Sequence, residues 1–125
     1  MNKIKILIVD DHPMMREALQ TAFEGEDDLE MIGEAPDAIK ALKMLETLKP
    51  DVIMMDMLLP GMSGLELLTH IREDFPAPPP PVVMMITAYG DEENHRHAME
   101  NGADDFLTKP LDFNLLKEKL KTFSE

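Results

Sequence analysis

Short apolar runs alternate along the chain with segments in which apolar residues recur at helical spacing. The runs cover residues 6–9, 29–34, 52–55, 82–86 and 106–107. The segments between them place apolar residues three and four positions apart, which is typical of amphipathic helices. Alternation of this kind favours one parallel sheet with helices on both faces. We therefore predict an α/β fold in which residues 1–125 form a single domain.

Polar residues at the starts of the helical segments predict where several helices begin. Pro13 fits the first turn of the first helix. Asp37 and Asp112 are suited to cap the second and fifth helices, and Ser63 opens a Ser-x-x-Glu capping box before the third. The apolar positions of the second helix predict a buried stripe of Ile39, Leu42, Leu45 and Leu48.

Composition narrows the class of protein. The 125 residues include no cysteine, which excludes disulfides and zinc–thiolate sites. The net charge of −13 argues against direct nucleic acid binding by this domain, because each phosphate contact requires a cation. The first apolar run is too short for a signal peptide or a membrane span, so we expect no membrane association and a cytoplasmic location.

His12, His95 and His97 are expected to be surface histidines.

Four of the apolar runs are followed directly, or after one residue, by chemically reactive or charged residues. Asp10 and Asp11 follow the first run, Asp56 the third, Thr87 the fourth and Lys109 the fifth. The carboxyl ends of parallel strands meet at one edge of a sheet, where ligands of such folds bind. The sequence therefore predicts three acids, a hydroxyl and an ammonium group at one edge.

This group of side chains suits a divalent cation together with a phosphoryl group. Two carboxylates about 4 Å apart repel each other by roughly 4 kcal/mol at an effective dielectric constant near 20, so three of them require a counter-charge. Mg²⁺ binds carboxylates and phosphate oxygens. An ionised carboxylate can then attack phosphorus, while Lys109 and Thr87 contact the transferring oxygens. Ala88 leaves room for the phosphoryl group to reach the Thr87 hydroxyl.

Each of these residues also has an ordinary structural interpretation when it is considered alone. Asp10 or Asp11 is suited to cap the first helix, and Asp56 to begin a turn. Thr87 is suited to satisfy an amide at a strand end, and Lys109 to be a solvated surface charge. Two other functional classes share the architecture, namely a flavodoxin-like cofactor binder and an aspartyl-phosphate hydrolase. The first requires hydrogen-bond donors after strand one, where this chain has carboxylates.

The order and spacing of four motifs resemble those of a known family. The motifs are Val-Asp-Asp-His-Pro at 9–13, Met-Asp-Met-Leu-Leu-Pro-Gly-Met-Ser-Gly at 55–64, Thr-Ala at 87–88 and Lys-Pro at 109–110. Together they resemble the receiver domain of two-component response regulators. The resemblance implies a flavodoxin-like receiver fold, with a five-stranded parallel sheet in the order 2-1-3-4-5.

The resemblance also implies a role for each residue of the site. Asp56 would accept the phosphoryl group from a sensor histidine kinase or a phosphotransfer protein. Asp11, Asp56 and the backbone carbonyl of Leu58 would ligate Mg²⁺, for which Mn²⁺ substitutes, and Asp10 would act through water. Thr87 would bind the phosphoryl group together with Lys109.

Three further expectations concern the surroundings of the site. The resemblance implies a cis Lys109–Pro110 bond and a switch in which Phe106 rotates when Thr87 moves. Leu58 and Tyr89 flank the site two residues beyond Asp56 and Thr87, and we hypothesise that they hinder an attacking water molecule and lengthen the life of the phosphoryl group.

The expected role is that of a signalling phosphoacceptor that assists its own phosphorylation and dephosphorylation, not of an enzyme. Its partner on the output side is a downstream effector protein or domain, and a homodimer through the fourth helix, fifth strand and fifth helix is a family tendency. Two hypotheses for the output remain open. The chain is either a stand-alone regulator or phosphorelay carrier, or a receiver cut from a longer transcription factor or hybrid kinase.

Overall fold

Five strands and five helices alternate along the chain in the computed structural model, which describes residues 3–76, 79–88 and 91–123. The strands are β1 (Ile4–Val9), β2 (Leu29–Ala35), β3 (Val52–Asp56), β4 (Val82–Thr87) and β5 (Asp105–Thr108). The helices are α1 (Pro13–Glu24), α2 (Ala38–Leu45), α3 (Gly64–Asp74), α4 (Glu92–Glu100) and α5 (Phe113–Thr122). Each apolar run of the sequence is a strand, as predicted.

All neighbouring strands are parallel, and the order across the sheet is β2-β1-β3-β4-β5. The predicted fold class and strand order are therefore confirmed. The register aligns the carboxyl ends of the strands, since Val9 pairs with Met55, Asp56 with Ile86 and Thr87 with Thr108. Residues that follow these positions consequently project from one edge of the sheet.

Alternate strand residues enter two separate cores, one on each face of the sheet. Val9 and Met55 point into the core formed with α2, α3 and α4, whereas Ile8 and Met54 point into the core formed with α1 and α5. This follows from the two-residue period of a strand, which sends successive side chains to opposite faces. Because both faces are covered, the strands are apolar at nearly every position and not merely at alternate ones.

The predicted helix caps are present, but the predicted buried stripe of α2 is partly wrong. The side chains of Asp37, Ser63 and Asp112 accept hydrogen bonds from backbone amides at the starts of α2, α3 and α5. Ile39, however, is 66% exposed, while Ala38, Ala41 and Leu45 are buried. The buried face thus begins one residue earlier, at the small residue Ala38.

Among the helices of the described residues, none combines the length and the apolar character that a membrane span requires.

Candidate phosphoryl-transfer site

The structure brings the polar residues at the strand ends to one place. Asp10 and Asp11 follow β1, Asp56 ends β3, Thr87 ends β4 and Lys109 follows β5. Asp10 is fully buried, and Asp56 and Thr87 are 3% and 1% exposed. Burial of charged and hydroxyl groups is costly unless partners compensate it, so their contacts determine what the site can do.

The acidic cluster retains unused ligand capacity. One ligand atom from each of Asp10, Asp11, His12 and Asp56 lies within 4.8 Å of the others. Asp10 Oδ2 and Asp11 Oδ1 are buried and accept no hydrogen bond within the described part of the chain. Buried carboxylate oxygens without a hydrogen bond favour a bound cation, and the three carboxylates of the cluster fit Mg²⁺. The residues present therefore fit the expected metal.

Lys109 places a positive charge in contact with Asp56. Its Nζ lies 2.9 Å from Asp56 Oδ2, and the Asp56 side chain is 4% exposed. Partial burial by itself lowers the pKa of Lys109. The hydrogen bond to Asp56 and the negative charges of Asp56, Asp10 and Asp11 outweigh this effect, so the pKa lies above its ordinary value of 10.5. Lys109 is accordingly a cation at neutral pH.

The loop between β3 and α3 holds the second oxygen of Asp56. The backbone N–H of Leu58 donates to Asp56 Oδ1 at 3.1 Å, and the Leu58 residue itself is 72% exposed. Gly64 lets the chain return tightly, since its N–H donates to the carbonyl of Met57 at 2.9 Å. A Cβ at Gly64 would lie 2.5 Å from the backbone oxygen of Asp56. The need for a glycine here is a site feature that the sequence analysis did not recognise.

The loop between β1 and α1 is anchored on both sides of Asp10. Asp10 N donates to the carbonyl of Ala35 at 3.0 Å, and its own carbonyl accepts from Arg16 Nη1 at 2.6 Å. Arg16 Nε is held in turn by Glu34 at 2.8 Å. His12 is the N-cap of α1 and its side chain makes no capping bond there. The capping interpretation of Asp10 and Asp11 is therefore wrong, and Arg16 is a positioning residue that sequence reasoning missed.

His12 does not behave as an ordinary surface histidine. Although its side chain is 63% exposed, Nδ1 lies 2.9 Å from Asp10 Oδ1 and 3.1 Å from Asp11 Oδ1. The backbone N–H of His12 donates to Asp10 Oδ1 as well, at 2.8 Å. The position directly after two acids, at the start of a helix, is the sequence signal that places this ring beside them.

The predicted phosphoryl-binding residues lie on the other side of the site, at the carboxyl ends of β4 and β5. Thr87 Oγ1 donates to the carbonyl of Leu107 at 3.5 Å, a long hydrogen bond that leaves the hydroxyl weakly held. Lys109 N donates to the Thr87 carbonyl at 2.9 Å, and the Lys109–Pro110 bond is cis. Ala88 is exposed at the rim. Tyr89 lies outside the described residues.

Phe106, the residue expected to act as a switch, is partly buried against the core beneath α4. The ring of His95 on α4 lies over it, with the ring centroids 3.3 Å apart and the planes inclined by 35°. This contact joins α4 to β5 close to Thr87. His95, which was expected at the surface, is thus half-buried and packs on this ring.

Comparison with known proteins agrees with this geometry. The family model "Response regulator receiver domain" matches residues 6–121. The chain belongs to this family. A receiver domain is a phosphoacceptor of two-component signalling, phosphorylated on an aspartate, and interacts with histidine kinases and effector domains. The match decides against the flavodoxin-like cofactor binder and the aspartyl-phosphate hydrolase.

Curated relatives of this receiver are longer proteins. It is 36% identical over 117 residues to the transcriptional regulatory protein BtsR of Salmonella typhi, covering 94% of this chain and 46% of the relative. It is 43% identical over 112 residues to a protein-glutamate methylesterase/protein-glutamine glutaminase of Nitrosomonas europaea, covering 88% of this chain and 30% of the relative. The receiver thus spans less than half the length of both.

Solved structures include close counterparts of the whole receiver. The response regulator domain of Thermotoga maritima CheB superposes with a TM-score of 0.87 and 31% identity, covering 99% of this chain and 98% of that one. The receiver domain of the response regulator NarL from Mycobacterium tuberculosis gives a TM-score of 0.87 and 28% identity, with the same coverage.

Proposed function

We propose that Asp56 is the phosphoacceptor of this receiver. The observation that carries the proposal is the position of its carboxylate, which is buried, bonded to Lys109 Nζ through Oδ2 and adjacent to the acids Asp10 and Asp11, each of which has one buried oxygen without a hydrogen bond among the described residues. An aspartate is ionised at neutral pH and needs no general base to act as a nucleophile. Asp10 and Asp11 lie in the same cluster, but Lys109 bonds to Asp56.

In the proposed transfer, a carboxylate oxygen of Asp56 attacks the phosphorus of a phosphohistidine on the donor protein. A P–O bond forms, the P–N bond breaks, and the electron pair of that bond leaves with the donor imidazole, which takes up a proton from solvent. The product is an acyl phosphate. Lys109 stabilises the charge on an equatorial oxygen, and the Thr87 hydroxyl donates to another after leaving the Leu107 carbonyl.

Asp10, Asp11, Asp56 and the backbone carbonyl of Leu58 would hold Mg²⁺, with Asp10 acting through water and Mn²⁺ able to substitute. When bound, the ion neutralises the clustered acids and attracts the oxygens of the phosphoryl group. The buried, unpartnered oxygens of Asp10 and Asp11 support this assignment. Lys109 alone cannot balance three carboxylates, since it contributes a single positive charge.

Incubation with phosphoramidate, whose P–N bond resembles that of phosphohistidine, tests the acceptor directly. Intact-mass spectrometry should show one added phosphoryl group in the wild type with Mg²⁺, and none in Asp56→Asn or after chelation of the metal. Asp27→Asn is the matched control, because Asp27 is exposed between α1 and β2 at the opposite edge of the sheet. Equal labelling of Asp56→Asn and the control would overturn the assignment.

We infer further that this receiver acts as a signalling phosphoacceptor that assists its own phosphorylation and not as an enzyme with a separate substrate. Its proposed partners are a sensor histidine kinase or phosphotransfer protein and a downstream effector, in a cytoplasmic setting. The greater length of the relatives supports the hypothesis of a receiver cut from a longer protein. Rotation of Phe106 and a homodimer through α4, β5 and α5 are the proposed routes to the output.

The hypothesis that Leu58 and Tyr89 slow dephosphorylation remains a prediction. The position of Leu58 supports it, because its backbone N–H donates to Asp56 Oδ1 and its apolar side chain is exposed next to the site. Loss of the phosphoryl group should be faster in the Leu58→Ala, Tyr89→Ala double variant, as followed by intact mass after removal of the donor. An equal or slower rate would count against a shielding role.

A further inference from the structure

The turn between α4 and β5 contains the one Asn-Gly pair of the sequence, Asn101–Gly102. Asn101 directly follows the last residue of α4, and both residues of the pair are exposed. Gly102 has a φ of 105°, a left-handed conformation that glycine adopts without strain. The pair precedes β5, whereas the phosphoryl-transfer site lies at the carboxyl ends of the strands. The proposed phosphoryl transfer therefore gives it no role.

An exposed asparagine before a glycine is open to attack by its own backbone. The amide nitrogen of Gly102 can attack Cγ of the Asn101 side chain, because glycine has no Cβ to obstruct the approach. The new N–C bond closes a succinimide ring, and the side-chain nitrogen leaves as ammonia with the proton that the attacking amide loses. Water then opens the ring at either carbonyl. The products are aspartate and isoaspartate, in which the chain continues through the side-chain carbonyl.

The hydrogen bonds around the pair leave the reacting groups accessible. Gly102 N donates to the carbonyl of Met99 at 3.3 Å, a long bond that holds the attacking nitrogen loosely. Asn101 Nδ2 donates to the carbonyl of His97 at 2.7 Å. Because Asn101 is exposed, water replaces this bond when the side-chain amide rotates, at little net cost.

We propose that Asn101 is a site of spontaneous conversion to aspartate and isoaspartate in the folded receiver, and that the conversion loosens the turn between α4 and β5. Aspartate at this position lacks the amide donor to the His97 carbonyl. It also places a negative charge at the carboxyl end of α4, where the helix dipole disfavours it. Isoaspartate lengthens the backbone before Gly102 and so displaces the Gly102 carbonyl, which accepts from Arg72 Nε at 2.9 Å.

Arg72 of α3 connects this turn to the two neighbouring strands. Its Nη1 donates to the carbonyl of Pro81, directly before β4, at 2.7 Å, and its Nη2 donates to Asp104 Oδ2, directly before β5, at 2.8 Å. Asp104 Oδ2 also accepts from the backbone N–H of Val83 at 2.9 Å. A change in the backbone at Gly102 therefore disturbs a network that joins α3, β4 and β5.

Incubation of the folded protein in a mildly alkaline buffer, followed by peptide mapping with tandem mass spectrometry, tests the site. Asn101 should be converted faster than Asn94 and Asn114, which lie inside α4 and α5 before residues that have side chains. Isoaspartate should accompany aspartate at Asn101, since water opens the ring at either carbonyl. Conversion at Asn101 that is no faster than at Asn114 overturns the proposal, and conversion at Asn101 in urea alone would overturn it by showing that the fold protects the pair.

Asn101→Asp reproduces one product and tests its consequence for the turn. Its melting temperature should be lower than that of Asn101→Gln, which keeps a side-chain amide and the original charge. Asn114→Asp is the matched control, because it adds the same charge in the first turn of α5, where the helix dipole favours an acid. Equal melting temperatures of Asn101→Asp and Asn101→Gln, or an equal loss in Asn114→Asp, overturn the loosening of the turn.

Discussion

Lys109 Nζ and Asp56 Oδ2 lie 2.9 Å apart although 53 positions separate the two residues in the chain. Parallel pairing of β3 with β4 and of β4 with β5 places them side by side. The contact matters because Asp56 shares its surroundings with two further carboxylates. Lys109 offsets their repulsion, and in the proposed transfer it is the group that stabilises the developing charge of the phosphoryl group.

Lys109→Gln should slow phosphorylation of Asp56 by about 100-fold, the effect of removing one donor that stabilises a developing charge. The raised pKa of Lys109 means that its favourable charge is present below the ordinary value of 10.5 and is lost only as the pH rises through the higher folded value. The wild-type rate should therefore not decline through deprotonation of Lys109 between pH 7 and about pH 10. Initial rates from intact mass provide the measurement, and Lys40→Gln on the exposed face of α2 is the control. Equal rates in the two variants would contradict the role of Lys109.

Asp10→Asn should stabilise the fold when no divalent cation is added. The variant removes a fully buried negative charge whose Oδ2 has no hydrogen-bond partner in the described chain, and we expect a gain of about 1–3 kcal/mol in the free energy of unfolding. Saturating Mg²⁺ should reduce or reverse the difference, since ion binding stabilises the wild type more. Urea unfolding with and without Mg²⁺ gives both values. A loss of stability in the metal-free variant would show that the charge of Asp10 is already compensated.

Gly64→Ala should destabilise the protein by about 1–3 kcal/mol, since the new methyl group would meet the backbone of Asp56 and Met57 at 2.5 and 2.9 Å. Gly25→Ala is the matched control, because a Cβ at Gly25 has no atom within 4 Å and its φ is −83°. The control should be neutral or slightly stabilising. Urea unfolding of both variants tests the difference. Similar effects on stability at the two positions would mean that the loop between β3 and α3 shifts to accommodate the methyl group at little cost.

Glu26 links the end of α1 to α5 through Lys121 at 2.8 Å and Lys117 at 3.3 Å. Hydrogen bonds from Lys121 and then Lys117 hold the pKa of Glu26 below its ordinary value of 4.5. The resulting stabilisation is present above that value and is lost as the pH falls through the lower folded pKa. Glu26→Gln should therefore be less stable than the wild type at pH 7, and the difference should shrink in acid.

Thermal melts of Glu26→Gln between neutral and acidic pH give this comparison. Glu24→Gln, at the neighbouring exposed end of α1, removes the same charge outside these ion pairs and is the matched control. A deficit of Glu26→Gln that is as large in acid as at pH 7 would point to lost packing and not to the ion pairs.

Local rules predicted much of the architecture. The apolar runs at 6–9, 52–55 and 82–86 became strands because a sheet covered on both faces requires apolar residues at successive positions. Asp37 and Ser63 cap helices because their short side chains accept amide hydrogen bonds at the first turn. The prediction that Ile39 is buried was wrong because periodicity ranks residues by hydrophobicity, whereas the face of α2 that packs on the core carries Ala38 and Ala41.

The sequence by itself determined which polar residues lie at or just after the strand ends, because strand ends follow from local apolar patterns. These residues include Asp10, Asp56, Thr87 and Lys109. Only the tertiary structure decided their contacts. The pairing of Lys109 with Asp56 depends on strand register, and the anchoring of Asp10 by Arg16 depends on the backbone path of the loop between β1 and α1. Residue spacing along a chain does not encode either of these, because both depend on how separate segments lie in space.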